Sequence, residues 1–377
     1  MFGNLELATL QKYWWTIDAI VGSLFLFLLF VQGGQSLLWQ AGKNDREKSM
    51  IINSLGRKWE LTFTTLVLFG GALFAAFPKF YATSFGGAYW VWVLILFTFI
   101  VQAVSYEFRK KPGNLLGAKF YEFFLLVNGS VGVLLIGTAV ATFFSGSAFR
   151  LNEYNLVSWE GPLRGVEAAG SLFNLSLGIF IVFNSRVLGA MYLLNSIDFN
   201  NYAELQERLR KLTIVNFLWS LPFLLYFLVN LILMDGQQVL ANGDVIIVSN
   251  KYLHNLLEMP LNIVLLLCGL VLVILGVYNT YFKGSEKGIW LAGPGTVLVG
   301  LCVFFLAGFN GTPFYPSTVD FLSSLTIANA SSSHTTLTAM SYVSLLVPFV
   351  LGYIFWFWRL MDAKKLSAGD VEKLEAY

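Results

Sequence analysis

Trp59 and Glu60 open an apolar stretch, and Thr64 follows Glu60 by one helical turn. A carboxylate where water meets a bilayer, with hydroxyls deeper on the same face, can load protons onto an internal file of water. Thr62 and Thr65 add hydroxyls, and Gly70-Gly71 lies beyond them. An acid in a first helical turn is also favoured by the helix dipole alone, so the pattern by itself leaves both readings open. Asp18, Glu107, Glu122 and Glu167 are the other acids in or beside apolar runs. Asp18 and Glu167 fall within about two turns of the outer end of a run. Glu107 and Glu122 flank Arg109, Lys110 and Lys119 and are expected to form solvated ion pairs.

Redox chemistry finds few ligands here. Haem iron takes an axial His, Met, Cys or Tyr, and copper and iron sites of oxygen chemistry lean on His. The two histidines, His254 and His334, fall in polar segments expected to be loops. The two cysteines, Cys268 and Cys302, lie in apolar runs and read as packed thiols, with no C-x-x-C pair to hold a metal. No phosphate-binding loop or dinucleotide fingerprint occurs. The expectation is a chain that binds no cofactor or metal and contributes no catalytic residue of its own.

What must position these residues is a set of membrane helices. Of 377 residues, 56% are hydrophobic and 12% charged, about half the charged share of an average soluble chain. Lipid is the solvent that suits such a surface. Nine segments are long enough to cross a hydrocarbon core of about 30 Å: roughly 13–39, 60–83, 88–107, 119–144, 166–190, 212–234, 259–282, 289–309 and 338–360. A spanning backbone must satisfy its own hydrogen bonds, so these are read as helices. The first run is too long for a cleaved signal and is read as the first membrane helix. The spacing predicts an all-α integral membrane protein. Residues 1–145 form one four-helix bundle, 146–309 a second, and 310–377 supply an outer loop, a peripheral ninth helix and a tail.

Lysine and arginine set the orientation. The connections after helices one, three, five and seven carry Lys43, Arg46, Lys48, Arg57 and Lys58; Arg109, Lys110, Lys111 and Lys119; Arg186, Arg208, Arg210 and Lys211; and Lys283 and Lys287. The tail adds Arg359, Lys364, Lys365 and Lys373. The other side has Lys12, Lys79, Arg150, Arg164 and Lys251. This places the N-terminus outside and the C-terminus in the cytoplasm. The net charge of +2 gives no reason to invoke a nucleic-acid partner.

One set of residues resembles a known family. The stretch Ile52-Asn53-Ser54, Trp59-Glu60, Gly70-Gly71-Ala72-Leu73-Phe74-Ala75-Ala76-Phe77-Pro78 and Tyr81-Ala82 is similar to the signature of subunit II of cytochrome bd quinol oxidase. Trp14-Trp15 and Gly42-Lys43-Asn44-Asp45 agree. So does the distal series Pro313-Phe314, Pro316-Ser317, Ser324-Leu325-Thr326, Ala330-Ser331-Ser332, Thr336-Leu337, Met340, Pro348, Tyr353 and Trp356. The resemblance runs the length of the chain.

It implies a haem-free subunit in a bacterial cytoplasmic membrane, paired with a similarly folded subunit I. That partner carries haem b and haem d and the quinol site, and the complex reduces oxygen to water with cytoplasmic protons. Small single-helix subunits, membrane lipids and quinol are further candidate partners. It also implies that the Trp-acid pair admits protons, which falls on Trp59 and Glu60, with Glu in place of the usual Asp. Two departures stand out. Relatives place aspartates near the inner end of helix one, where this chain has Phe30-Val31-Gln32-Gly33-Gly34-Gln35, and many have Trp where Thr65 stands. A secondary transporter is the rival reading, with kinks at Pro222, Pro260, Pro294 and Pro348.

Overall fold

The computed structural model describes residues 2–111, 113–240 and 242–373. Among them are nine helices long and apolar enough to cross a membrane. They are α1 (Leu7–Ser36), α2 (Asp45–Ala76), α3 (Tyr89–Phe108), α4 (Ala118–Ser145), α5 (Leu172–Ser196), α6 (Ala203–Leu233), α7 (Pro260–Tyr281), α8 (Ile289–Gly308) and α9 (His334–Met361). The apolar runs thus become helices as expected, but with shifted ends. Helix α2 starts fifteen residues before the expected 60, because Asp45–Gly56 is already helical, capped by the Asn44 side chain on the Glu47 amide. The fifth helix runs to Ser196 rather than 190. Arg186 sits inside this helix, as the expected span 166–190 already required, so its charge does not belong with the loop bases it was counted among. The sixth helix begins at Ala203, so Arg208, Arg210 and Lys211 ride on its polar first turns.

The two ends differ in character. At the basic end the connections are short. At the opposite end, antiparallel hairpins β1 (Phe149–Leu151) with β2 (Val157–Trp159), and β3 (Gly236–Val239) with β4 (Val245–Val248), cover the helix tips. A short helix, Lys251–Glu258, follows β4. His254 is therefore helical and exposed, and His334 is the first residue of α9; neither lies in a loop as expected. Between α2 and α3 the chain turns at Pro78 and through a wide helical turn over Tyr81–Gly86. Gly87 is required there. A Cβ on it would lie 2.1 Å from the Trp159 indole nitrogen, which donates to Thr83 O at 3.0 Å.

Close helix contacts fix the core. Helices α1 and α5 run in the same direction and touch backbone to backbone. A Cβ on Gly33 would stand 1.9 Å from Ser185 O, and one on Gly189 2.2 Å from Gly34 N. Small residues permit this approach where no hydrophobic drive separates lipid from protein. Trp15 of α1 lies over Gly308 of α8 and donates its indole N–H to Phe304 O at 3.2 Å. Helix α9 is tied down mainly at its ends. Near its start Ser341 accepts from Trp14, and past its end Lys58 Nζ meets Asp362 Oδ1 at 3.1 Å and the Trp358 ring at 4.9 Å.

Candidate functional site

Polar residues recur along α3 at helical spacing: Thr98, Gln102, Ser105 and Tyr106, then Arg109 just past its end. That period puts them on one face, and the fold turns this face inward against α1 and α4. Gln35 of α1 is the hub. Its Nε2 donates to Asn128 Oδ1 at 2.6 Å and to Leu125 O at 3.1 Å, both on α4. Its Oε1 accepts from Gln102 Nε2 at 2.9 Å and from the Tyr106 hydroxyl at 3.0 Å. Asn128 passes the thread on to Thr98 at 3.2 Å, and Gln32 reaches Gln102 at 3.4 Å. Gln32, Gln35, Gln102 and Asn128 are all at most 1% exposed. Asn128 opens a widened helical turn, Asn128–Gly132, of the kind that re-aims side chains at functional positions.

Toward the basic end the thread meets a charge cluster. The Arg109 side chain is fully buried and gives Nη2 to Glu122 Oε1 at 2.7 Å and to Asp45 Oδ1 at 2.9 Å. Glu122 also accepts from Lys48 Nζ and Trp39 Nε1, each at 2.8 Å. The expected pairing of Glu122 is present, but it is not a solvated pair: the carboxylate is 2% exposed and takes donors from three other elements. Glu107 does form a solvated surface pair, but with Lys111 one turn on rather than with Arg109, Lys110 or Lys119. Both carboxylate oxygens of Asp18, buried in α1, meet no hydrogen-bond partner among the described residues. Asp18 lies three turns inside its helix, not at its end. Glu167 accepts from the Leu163 and Gly165 amides and shapes the turn before α5.

The residues singled out in the sequence separate in space. Glu60 and Thr64 share one exposed face of α2, as their spacing required. Trp59 turns the other way. Its ring stacks on Tyr106 at 5.9 Å, and its indole nitrogen is buried without an acceptor. Trp59 therefore touches the polar thread, while Glu60 and Thr64 lie outside it. Thr62 donates to Leu28 O and Thr65 to Leu61 O, so both hydroxyls are held by backbone. Sequence reasoning missed Gln35, Gln102, Asn128 and the burial of Arg109. The signal available was the periodic polar face of α3.

His254 is exposed on its short helix, and the His334 ring nitrogen is hydrogen-bonded to Leu5 O at 2.9 Å. Among the described residues no three His, Cys, Asp or Glu side chains gather as a metal site.

The model of the cytochrome bd terminal oxidase subunit II family matches residues 10–361. The chain belongs to that family. Cytochrome bd-I ubiquinol oxidase subunit 2 of Escherichia coli K12 is 26% identical, with 98% of each chain covered. Cytochrome bd ubiquinol oxidase subunit 2 of Bacillus subtilis is 24% identical over 93% of this chain and 95% of the relative. The solved bd oxidase of Geobacillus thermodenitrificans superposes with a TM-score of 0.59 at 12% identity, covering 93% of this chain and 98% of that one, which shows the shared fold. This subunit II is a multi-pass membrane component of a bacterial oxidoreductase complex that uses haems and quinol, and it has a partner subunit I. Its helix α1 holds amides, Gln32 and Gln35, at the hub of the buried thread.

Proposed function

We propose that this subunit II binds no haem and supports a haem-bearing subunit I in oxidising quinol and reducing oxygen to water. In that partner haem b and haem d supply the electron transfer to oxygen. In this reading the basic connections face the cytoplasm, the N-terminus is outside and the C-terminal tail is cytoplasmic. Residues 1–145 and 146–309 act as two four-helix bundles, and 310–377 add the outer loop, the ninth helix and the tail.

The chain's own contribution to turnover is proton entry at Trp59, Glu60 and Thr64. The observation that carries this is the shared exposed face of Glu60 and Thr64 on α2, just past the turn at Arg57 and Lys58 that separates its Asp45–Gly56 part from its Trp59–Ala76 part. A carboxylate there meets cytoplasmic water, and the Thr64 hydroxyl continues the face one turn deeper. Trp59, folded onto Tyr106, anchors the turn from which Glu60 projects. The buried thread is the weaker conduit. Its centre is built of amides, which hold hydrogen bonds but carry no ionisable proton near neutral pH. Against the transporter reading, Asp18 meets no partner among the described residues with which to form a midplane charge pair.

Glu60→Gln in the assembled complex tests the proton role. Quinol-driven oxygen uptake is expected to fall several-fold while the haem spectrum per complex is unchanged. Wild-type turnover would remove Glu60 from the path. Loss of haem would make it a structural residue instead.

A further inference from the structure

Arg186 is a cation within a membrane-spanning helix that no described side chain neutralises. It lies ten residues before the end of α5 at Ser196, about 15 Å along the helix axis. Its Nε donates to Ser36 Oγ of α1 at 2.9 Å, and its guanidinium lies 6.0 Å from the Phe183 ring centroid. Among the described residues no carboxylate is within ion-pairing reach of it. The nearby basic-end acids are engaged elsewhere: Glu122 by Arg109 and Lys48, and Glu47 by Arg208 at 2.6 Å. The side chain is half-buried, unlike Arg109.

Its direction follows from the helix wheel. Asn184 of α5 lines the cavity enclosed by α1, α4, α5, α6, α7 and α8. Two residues further on, at about 100° each, Arg186 points to the opposite side of α5. Ser185 faces the Gly33 contact with α1, and Phe183 stacks on Phe223 of α6. Arg186 therefore emerges in a notch between α1 and α6, where Ser36 also packs against Gly129 of α4. Helices α1 and α5 run in parallel, and Arg186 is level with Gly33. Ser36 is thus about one turn nearer the basic end, and the guanidinium leans that way. Trp39 and its partner Glu122 mark the interface about one turn further on.

We propose that the notch at Arg186, Ser36 and Phe183 is a binding site for the phosphate of one anionic phospholipid of the cytoplasmic leaflet. The leaflet follows from the orientation proposed above. An arginine left unpaired at this depth is costly. The guanidinium fork matches a phosphodiester, and Ser36 fixes one edge of it, leaving the terminal nitrogens for the ligand. Basic pockets between helices on this side of a membrane take acidic headgroups.

The test uses the purified oxidase complex. Native mass spectrometry after delipidation would count dioleoyl phosphatidylglycerol retained, against dioleoyl phosphatidylcholine and against inorganic phosphate. The wild type is expected to retain one tightly held phosphatidylglycerol that neither control replaces. Arg186→Leu is expected to weaken that retention by about fivefold or more, the worth of one basic residue at an anionic surface. Arg186→Lys keeps the charge without the fork, and an intermediate loss is expected. If Arg186→Leu does not assemble, the lysine variant carries the test alone. Equal phosphatidylglycerol retention in variant and wild type would overturn the site. So would a wild type that prefers neither lipid while Arg186→Leu sheds subunit I, since the counter-ion would then be a partner carboxylate. Displacement by inorganic phosphate would overturn the lipid assignment. None of these outcomes depends on Glu60.

Discussion

Arg109 and Glu122 are buried against each other, Nη2 to Oε1 at 2.7 Å, with side chains 0% and 2% exposed. They come from the two sides of one connection, yet Lys48, Trp39 and Asp45 of other elements close around them. Removing one member of such a pair strands a buried charge, whereas removing both need not. Glu122→Gln is expected to destabilise the subunit by about 3–5 kcal/mol, read as a lower thermal midpoint of the complex. The double change Arg109→Met with Glu122→Leu is expected to be milder than either single change. A double variant as damaged as the sum of the two would contradict this account.

Gln35 serves four partners: Asn128, Leu125 O, Gln102 and Tyr106. Gln35→Leu leaves buried groups on α3 and α4 without a mate, at about 1–3 kcal/mol for each. Thermal melting of the complex measures the loss. Oxygen uptake per intact complex is expected to stay near the wild-type value, because the amide hub is not the proposed proton entry. A collapse of turnover in stable complex would move the entry path into the thread.

The contact of Gly33 with Ser185 leaves no room for a methyl group. Gly33→Ala is expected to push α1 and α5 apart and lower stability by about 1–3 kcal/mol or more. Gly71 is the control, since a Cβ there meets nothing within 4 Å. Comparing the yields and melting temperatures of the two variants checks the helix contact directly.

Asp18 is buried with both oxygens unpartnered. Replacing a polar group that makes no hydrogen bond removes its desolvation cost. Asp18→Val is expected to raise stability by about 1–3 kcal/mol, seen as a higher melting temperature. A lower one would mean that Asp18 makes a needed contact in the assembled complex.

The tail carries a pH dependence of its own. Asp370 accepts from the Ser367 hydroxyl at 2.7 Å and amide at 3.1 Å, and from Lys364 Nζ at 3.1 Å. These donors, Ser367 foremost, hold its carboxyl well below the usual carboxylate range. A carboxylate depressed on folding adds stability that is fully present above its unfolded value, about 3.9. That stability is lost as pH falls through the lower, folded value. Leu366, hydrogen-bonded to Ser196 O at 2.9 Å, reports on docking. Its amide exchange is expected to be insensitive to pH between neutrality and about 5, after correction for intrinsic rates, and to accelerate in acid. Asp370→Asn should accelerate it already at neutral pH.

Much of the molecule was legible in residue order alone. The nine apolar runs became helices because lipid offers no other way to satisfy a spanning backbone. The i, i+4 spacing of Glu60 and Thr64 placed them on one face, since that rule acts within a single helix. The signature around Trp59-Glu60 and Gly70-Gly71 pointed to the family to which the chain belongs. Local chemistry carried each of these.

Tertiary structure decided the rest. Glu122 reads from its neighbours as a surface acid, and only the approach of Lys48, Trp39 and Arg109 buries it. Gln35 and Asn128 are distant in sequence and meet because α1 and α4 are neighbours. Arg186 falls inside the fifth apolar run in the sequence, and only the packing of α5 on α1 sets its guanidinium against Ser36. Burial and pairing depend on which helices are adjacent, and one helix's periodicity holds no record of its neighbours.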